Sequence, residues 1–174
     1  MDFKVLASGI GVALVLIYAF GSGIWVNTSP GWYTSLNQPL WQPPDFIFGL
    51  IWPYNFFVIA FASIQIAQKQ SRLTTIFWLV TLALSITAAL IWAYQFYVPH
   101  NLNLASYALL TTALLTLPLT YLAYKTSWKI GALYSISIMG NYRRDFILQL
   151  RCSKLISKIN YQGTISLSSQ SRPV

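Results

Sequence analysis

Charge is what this 174-residue chain has least of: 8% of its residues are Asp, Glu, Lys or Arg, and only three of those are acidic. A single histidine, His100, and a single cysteine, Cys152, complete a sparse set of reactive side chains. These absences exclude much. One cysteine cannot close an internal disulfide. The chain also carries no metal-ligand cluster, no nucleophile with a partnered base and no glycine-rich phosphate loop, so nothing catalytic is placed on it. His100 reads as a solvated loop residue.

In place of charge the chain has apolar length. Hydrophobic residues make up 56% of it, well above a soluble domain. Four runs, residues 5–26, 46–67, 74–97 and 104–124, contain no Asp, Glu, Lys or Arg. At about 1.5 Å per residue each is long enough to cross ~30 Å of hydrocarbon, and each is predicted to be a spanning helix. The first run is longer than the apolar core of a leader peptide and lacks a small-residue cleavage site, so it is read as a span. With no Asp, Glu, Lys or Arg inside the spans, transport of a charged solute is disfavoured.

The basic excess is uneven. Residues 1–133 hold five Lys or Arg against two Asp, and residues 134–174 hold six against one. A basic tail, not a nucleic-acid surface, accounts for most of it. Lys4, Lys69, Arg72, Lys125 and Lys129 fall before the first span, between the second and third, and after the fourth. Four spans put all five on one side of the bilayer. The opposite loops, 27–45 and 98–103, hold no Lys or Arg, only Asp45 and His100. By the positive-inside rule the N-terminus is expected in the cytoplasm.

Within the spans, Gly9, Gly11, Ala13, Gly21 and Gly23 allow a neighbouring helix close to the first. Pro53 is expected to bend the second helix toward the bundle, with Asn55 and Gln65 facing inward, because a lipid-facing amide has no partner. Trp92 and Tyr97 fit either an interfacial aromatic belt or a pocket. Pro118 suggests a kink in the fourth helix.

The loop between the first two spans reads Ser-Pro-Gly-Trp-Tyr-Thr-Ser-Leu-Asn-Gln-Pro-Leu-Trp-Gln-Pro-Pro over residues 29–44. A spacer would be polar and flexible; this one combines fixed backbone dihedrals with rigid aromatic faces, as a pocket lid requires. Gly31-Trp32-Tyr33, Leu36-Asn37, Pro39, Trp41, Pro43-Pro44, Phe46, Phe48-Gly49 and Trp52 together resemble the signature of the TspO/MBR family, the tryptophan-rich sensory or translocator proteins. The resemblance implies an all-α, five-helix membrane bundle whose first loop covers a pocket for porphyrin, haem or another flat hydrophobic ligand, sterol-like molecules included. It also implies that Trp32, Tyr33, Trp41, Pro43, Pro44 and Trp52 line or cap that pocket, that no cofactor is obligatory, and that the bundle can form a homodimer. Porphyrin degradation is the enzymatic alternative implied by the same family. Phe46 and Phe56 stand where the family usually has Trp and Tyr.

The resemblance weakens after Leu133. A fifth helix opening Pro-Tyr-x-x-Trp is expected there, but the chain reads Tyr-Ser-Ile-Ser-Ile-Met-Gly-Asn-Tyr-Arg-Arg-Asp. Arg143, Arg144 and Asp145 each cost about 3 kcal/mol at mid-bilayer, so residues 134–174 are expected not to span. Permitted codons for residues 134–156, read one base later, can spell Ile-Pro-Tyr-Gln-Leu-Trp, a further apolar stretch ending Leu-Asn, and a stop. The tryptophan is independent of codon choice, because Met139-Gly140 must be ATG-GGN. The reading is therefore four intact helices in residues 1–133 followed by an out-of-frame basic tail that removes one pocket wall. If so, the product is either a ligand-binding membrane protein or a four-helix remnant without specific function.

Overall fold

In the computed structural model, residues 2–26, 28 and 45–138 are described, and among them every regular element is an α-helix. Four long helices, α1 (Phe3–Val26), α2 (Asp45–Lys69), α3 (Arg72–Tyr97) and α4 (Leu102–Thr126), are each apolar and long enough to cross a membrane. A fifth, α5, covers residues 128–138. The four long helices contain the four predicted runs and exceed each by up to four residues, because polar ends such as Gln68 and Lys69 continue the helical hydrogen bonding.

Short links force neighbouring helices antiparallel. Between α2 and α3 only Gln70 and Ser71 intervene, and Ser71 caps α3 by accepting a hydrogen bond from the Thr74 amide at 3.3 Å. Asn101 caps α4 in the same way through the Leu104 amide at 3.2 Å. The tight turn before it places His100 at φ 55°, a left-handed backbone that few non-glycine residues adopt. His100 is half-buried in this turn, more enclosed than the solvated loop residue expected.

α1 packs on α2 and α3, and α3 packs most extensively on α4. α5 fills the remaining gap between α2 and α4. The Tyr54 hydroxyl of α2 donates to the Leu133 carbonyl at 3.4 Å, and Ser135 donates to the Tyr124 hydroxyl of α4 at 3.2 Å. Gly131 makes this approach possible, since a Cβ there would lie 2.3 Å from the Tyr124 ring. The bundle is therefore a closed ring in the order α1, α2, α5, α4, α3.

The domain boundary read at Leu133 falls inside α5, which continues to residue 138 with Tyr134 and Ser137 buried. The chain remains uncharged as far as Arg143, and nothing opposes helix over Tyr-Ser-Ile-Ser-Ile. Eleven residues reach about 16 Å, roughly half a bilayer. Residues 139–174, including Arg143, Arg144 and Asp145, lie outside the described residues.

Side chains are distributed as lipid demands. Phe20, Leu73, Tyr107 and Leu117 are exposed on the outer surface, whereas Ser63, Thr75, Ser85 and Thr116 are buried between helices. Lipid is as apolar as leucine, so close contact and hydrogen bonding, not water exclusion, select the interior. Trp78 is fully buried at the centre and donates its indole N–H to Ser63 Oγ at 3.0 Å. Asn55 is buried as expected, while Gln65 is half-buried. Pro53 lies on the exposed side of α2, inside a helix that runs unbroken from Asp45 to Lys69.

Candidate functional site

Of the pocket residues expected from the sequence, Trp52 is placed by the structure. Trp32, Tyr33, Trp41, Pro43 and Pro44 lie outside the described residues. Trp52 is half-buried on the first part of α2, where the helical repeat brings Phe56 onto the same face one turn later. Its ring lies 5.6 Å from Phe56 and 6.2 Å from Tyr18 of α1. Tyr18 meets Phe56 edge-on at 5.3 Å. Three aromatic rings from two helices thus form one cluster, at separations typical of attractive ring pairs.

Tyr18 also borders a partly open cavity between the helices. Its volume, counted as the space open to the centre of a water molecule, is about 50 Å³. Ile59 of α2, Leu82, Ser85 and Ala89 of α3, and Thr112 and Thr116 of α4 contribute to its walls. Tyr134, Ser137 and Ile138 of α5 complete it. The pocket wall expected to be missing after Leu133 is thus supplied, in this part of the bundle, by the continuation of α5.

α5 is held there by polar and aromatic contacts. Ser137 donates to Asn55 Oδ1, and the Tyr134 ring packs on Trp78 with centroids 5.8 Å apart. Asn55 Nδ2 is buried and meets no hydrogen-bond partner among the described residues.

Trp92 and Tyr97 do not line this cavity. They are buried with Phe96 against Leu102, Ala105 and Leu109, where α3 and α4 meet. The part of the chain expected to form the lid lies outside the described residues, and among those described these rings pack α3 on α4. Among the described residues no cluster of His, Cys, Asp or Glu could hold a metal ion.

Tyr18 and the hydroxyl residues were not singled out in the sequence, and Phe56 was noted only as a departure from the family pattern. Tyr18 lies in an apolar run whose period does not identify its inner face. Thr112 and Thr116 carry a weak signal, their four-residue spacing on one face of α4.

The ring of helices, apolar outside and carrying buried hydroxyl side chains among its apolar core residues, defines an integral membrane helix bundle with a small recess between its helices. The sequence profile of the TspO/MBR family matches residues 10–138, and the chain belongs to that family. It is also similar to a tryptophan-rich sensory protein of Cereibacter sphaeroides, with 38% identity over 39 residues. That similarity covers 22% of this chain and 25% of the relative, so the chain matches a quarter of that protein's length. No solved structure matches the chain.

Proposed function

We propose that this protein binds a flat hydrophobic ligand of the tetrapyrrole type, porphyrin or haem, within the membrane and acts as a sensor, regulator or translocator. The observation that carries the reading is the Tyr18, Trp52 and Phe56 cluster beside this cavity. A tetrapyrrole is a broad aromatic plate, and rings of low conformational entropy stack on such plates favourably. The cavity itself, at about 50 Å³, is far below the roughly 300 Å³ of the smallest drug-sized sites. The plate would therefore lie against the aromatic cluster, with only a substituent entering the recess. Trp32, Tyr33, Trp41, Pro43 and Pro44 are the proposed lid.

Orientation follows from charge. Lys4 Nζ donates to the Gln68 carbonyl at 2.9 Å, the Arg72 guanidinium lies 4.9 Å from the Phe3 ring centre, and Gln70 donates to Thr126 at 3.0 Å. The basic end is thus one end of the bundle, and the proposal places it in the cytoplasm.

Protoporphyrin titrated into the protein in nanodiscs should quench tryptophan fluorescence saturably. Trp52→Leu should weaken the apparent affinity about fivefold, the equivalent of roughly 1 kcal/mol for one aromatic contact. Absence of saturable quenching in the native chain would refute tetrapyrrole binding.

A further inference from the structure

We infer that the recess lined by residues of α1 to α5 is a subsite for the hydroxyl group of an uncharged aromatic ligand. The inference deepens the reading of the bundle as a receptor for flat hydrophobic ligands, but it does not require the ligand to be a tetrapyrrole.

The chemistry follows from where the wall hydroxyls direct their hydrogens. Thr112 donates to the Ala108 carbonyl at 2.9 Å and Thr116 to the Ala113 carbonyl at 2.6 Å. Ser137 donates to Asn55 Oδ1. With their single donors committed, these three oxygens offer only lone pairs to the cavity. Ser85 and Tyr134 also line it, and their hydroxyls donate to no described residue. The wall therefore presents acceptors together with uncommitted donors. A ligand hydroxyl, which donates once and accepts twice, satisfies both kinds; an ether or ketone satisfies only the donors.

Charge and size narrow the class further. None of the wall residues is charged. A carboxylate entering this space would lose its hydration without gaining a counter-ion, a penalty of several kcal/mol. Any carboxylate on the ligand must then remain outside the cavity. At about 10–15 Å³ per water centre, 50 Å³ admits a few waters or one short hydroxyl-bearing substituent. Tyr18 joins the two parts of the site, since it borders the cavity and packs on both Trp52 and Phe56. A ring resting on that cluster could place a hydroxyl in the recess.

The test compares 2-naphthol, 2-methoxynaphthalene and 2-naphthoate binding to the full chain in nanodiscs, corrected for partition into empty nanodiscs. The hydroxyl probe should bind roughly fivefold more tightly than the ether, the effect of about one net hydrogen bond, and naphthoate should bind more weakly still. Thr112→Val with Thr116→Val, which removes both acceptors at nearly constant shape, should reduce the naphthol-to-ether ratio to about one. Ser85→Ala should reduce it partly. Thr87→Val is the control: Thr87 makes the same bond to its own helix, to the Ala83 carbonyl at 2.9 Å, but is exposed on the outside. Its ratio should match the native one. A native ratio near one, a ratio unmoved by the paired valines, or naphthoate binding as tightly as naphthol would each overturn the subsite. Saturable protoporphyrin quenching alongside a native ratio near one would leave the plate-binding reading standing and remove only the hydroxyl subsite. The reverse pattern would retain the subsite and remove the tetrapyrrole.

Discussion

Single side chains in the bundle interior have unequal consequences because the surrounding lipid changes what burial means. Trp78 illustrates this: it is fully buried, yet an apolar environment would also be available to it outside the bundle. Its contribution is packing density and one indole hydrogen bond to Ser63, not escape from water. Trp78→Ala should leave a large void and lower stability by roughly 3 kcal/mol. Trp78→Phe should cost much less, because Ser63 retains its own bond to the Ile59 carbonyl at 2.8 Å. Equilibrium unfolding in mixed micelles separates the two, and equal losses would contradict this account. Asn55 presents the opposite case, a buried amide whose Nδ2 has no partner among the described residues. Replacing Asn55 with Leu and Ser137 with Ala together removes both sides of their bond and the unsatisfied donor. The doubly substituted protein should be at least as stable as the native chain, and a marked loss of thermal stability would disprove it.

At the level of helices, close approach decides which small residues matter. A Cβ on Gly11 would lie 2.6 Å from Ser63 Cβ, whereas one on Gly9 would meet nothing within 4 Å. Gly11→Val should therefore push α1 from α2 and destabilise by about 1–3 kcal/mol, while Gly9→Val should be neutral in the same unfolding measurement. Both glycines look alike in the sequence, and only their partners distinguish them. α5 raises a different question, because its described portion covers half a bilayer. The codons for residues 134–156 are expected to read Pro-Tyr-x-x-Trp and then a stop one base later. Sequencing the gene checks this directly, and codons that spell neither would end the frameshift explanation. A frame-restored chain should then bind protoporphyrin more tightly than the 174-residue chain, since a full α5 would extend the wall that now begins with Tyr134 and Ser137.

At the scale of the molecule, the described residues form a basic end and an end almost free of charge, and this asymmetry predicts the topology. In a Cys152→Ser background, Lys69→Cys should react with an impermeant thiol reagent only from the cytoplasmic side, and His100→Cys only from the other. Inverted labelling would overturn the orientation while leaving the bundle unchanged. Much of this architecture was legible beforehand. The four spans, their alternating direction and the shared side of Lys4, Lys69, Arg72 and Lys125 follow from apolar length and from where charge is absent. The site was legible only in part: Trp52 was identified from its motif, whereas Tyr18 was not and Phe56 appeared only as a departure from the family pattern, because their importance lies in facing each other across two helices.

Hydropathy and motif spacing determined that this chain is a membrane helix bundle of the TspO/MBR family, because crossing a bilayer constrains residue type along the chain more strongly than any single contact does. Tertiary structure decided what linear spacing leaves open. It buried Trp92 and Tyr97 where α3 and α4 meet, placed Pro53 on the outer surface, and carried α5 beyond Leu133 to complete the ring. It also brought Ser85, Thr112, Thr116, Tyr134 and Ser137 from three helices around one small recess. No local pattern specifies that convergence. The hydroxyl chemistry of the recess depends on which carbonyl or amide receives each hydrogen, and those partners are set by helix packing.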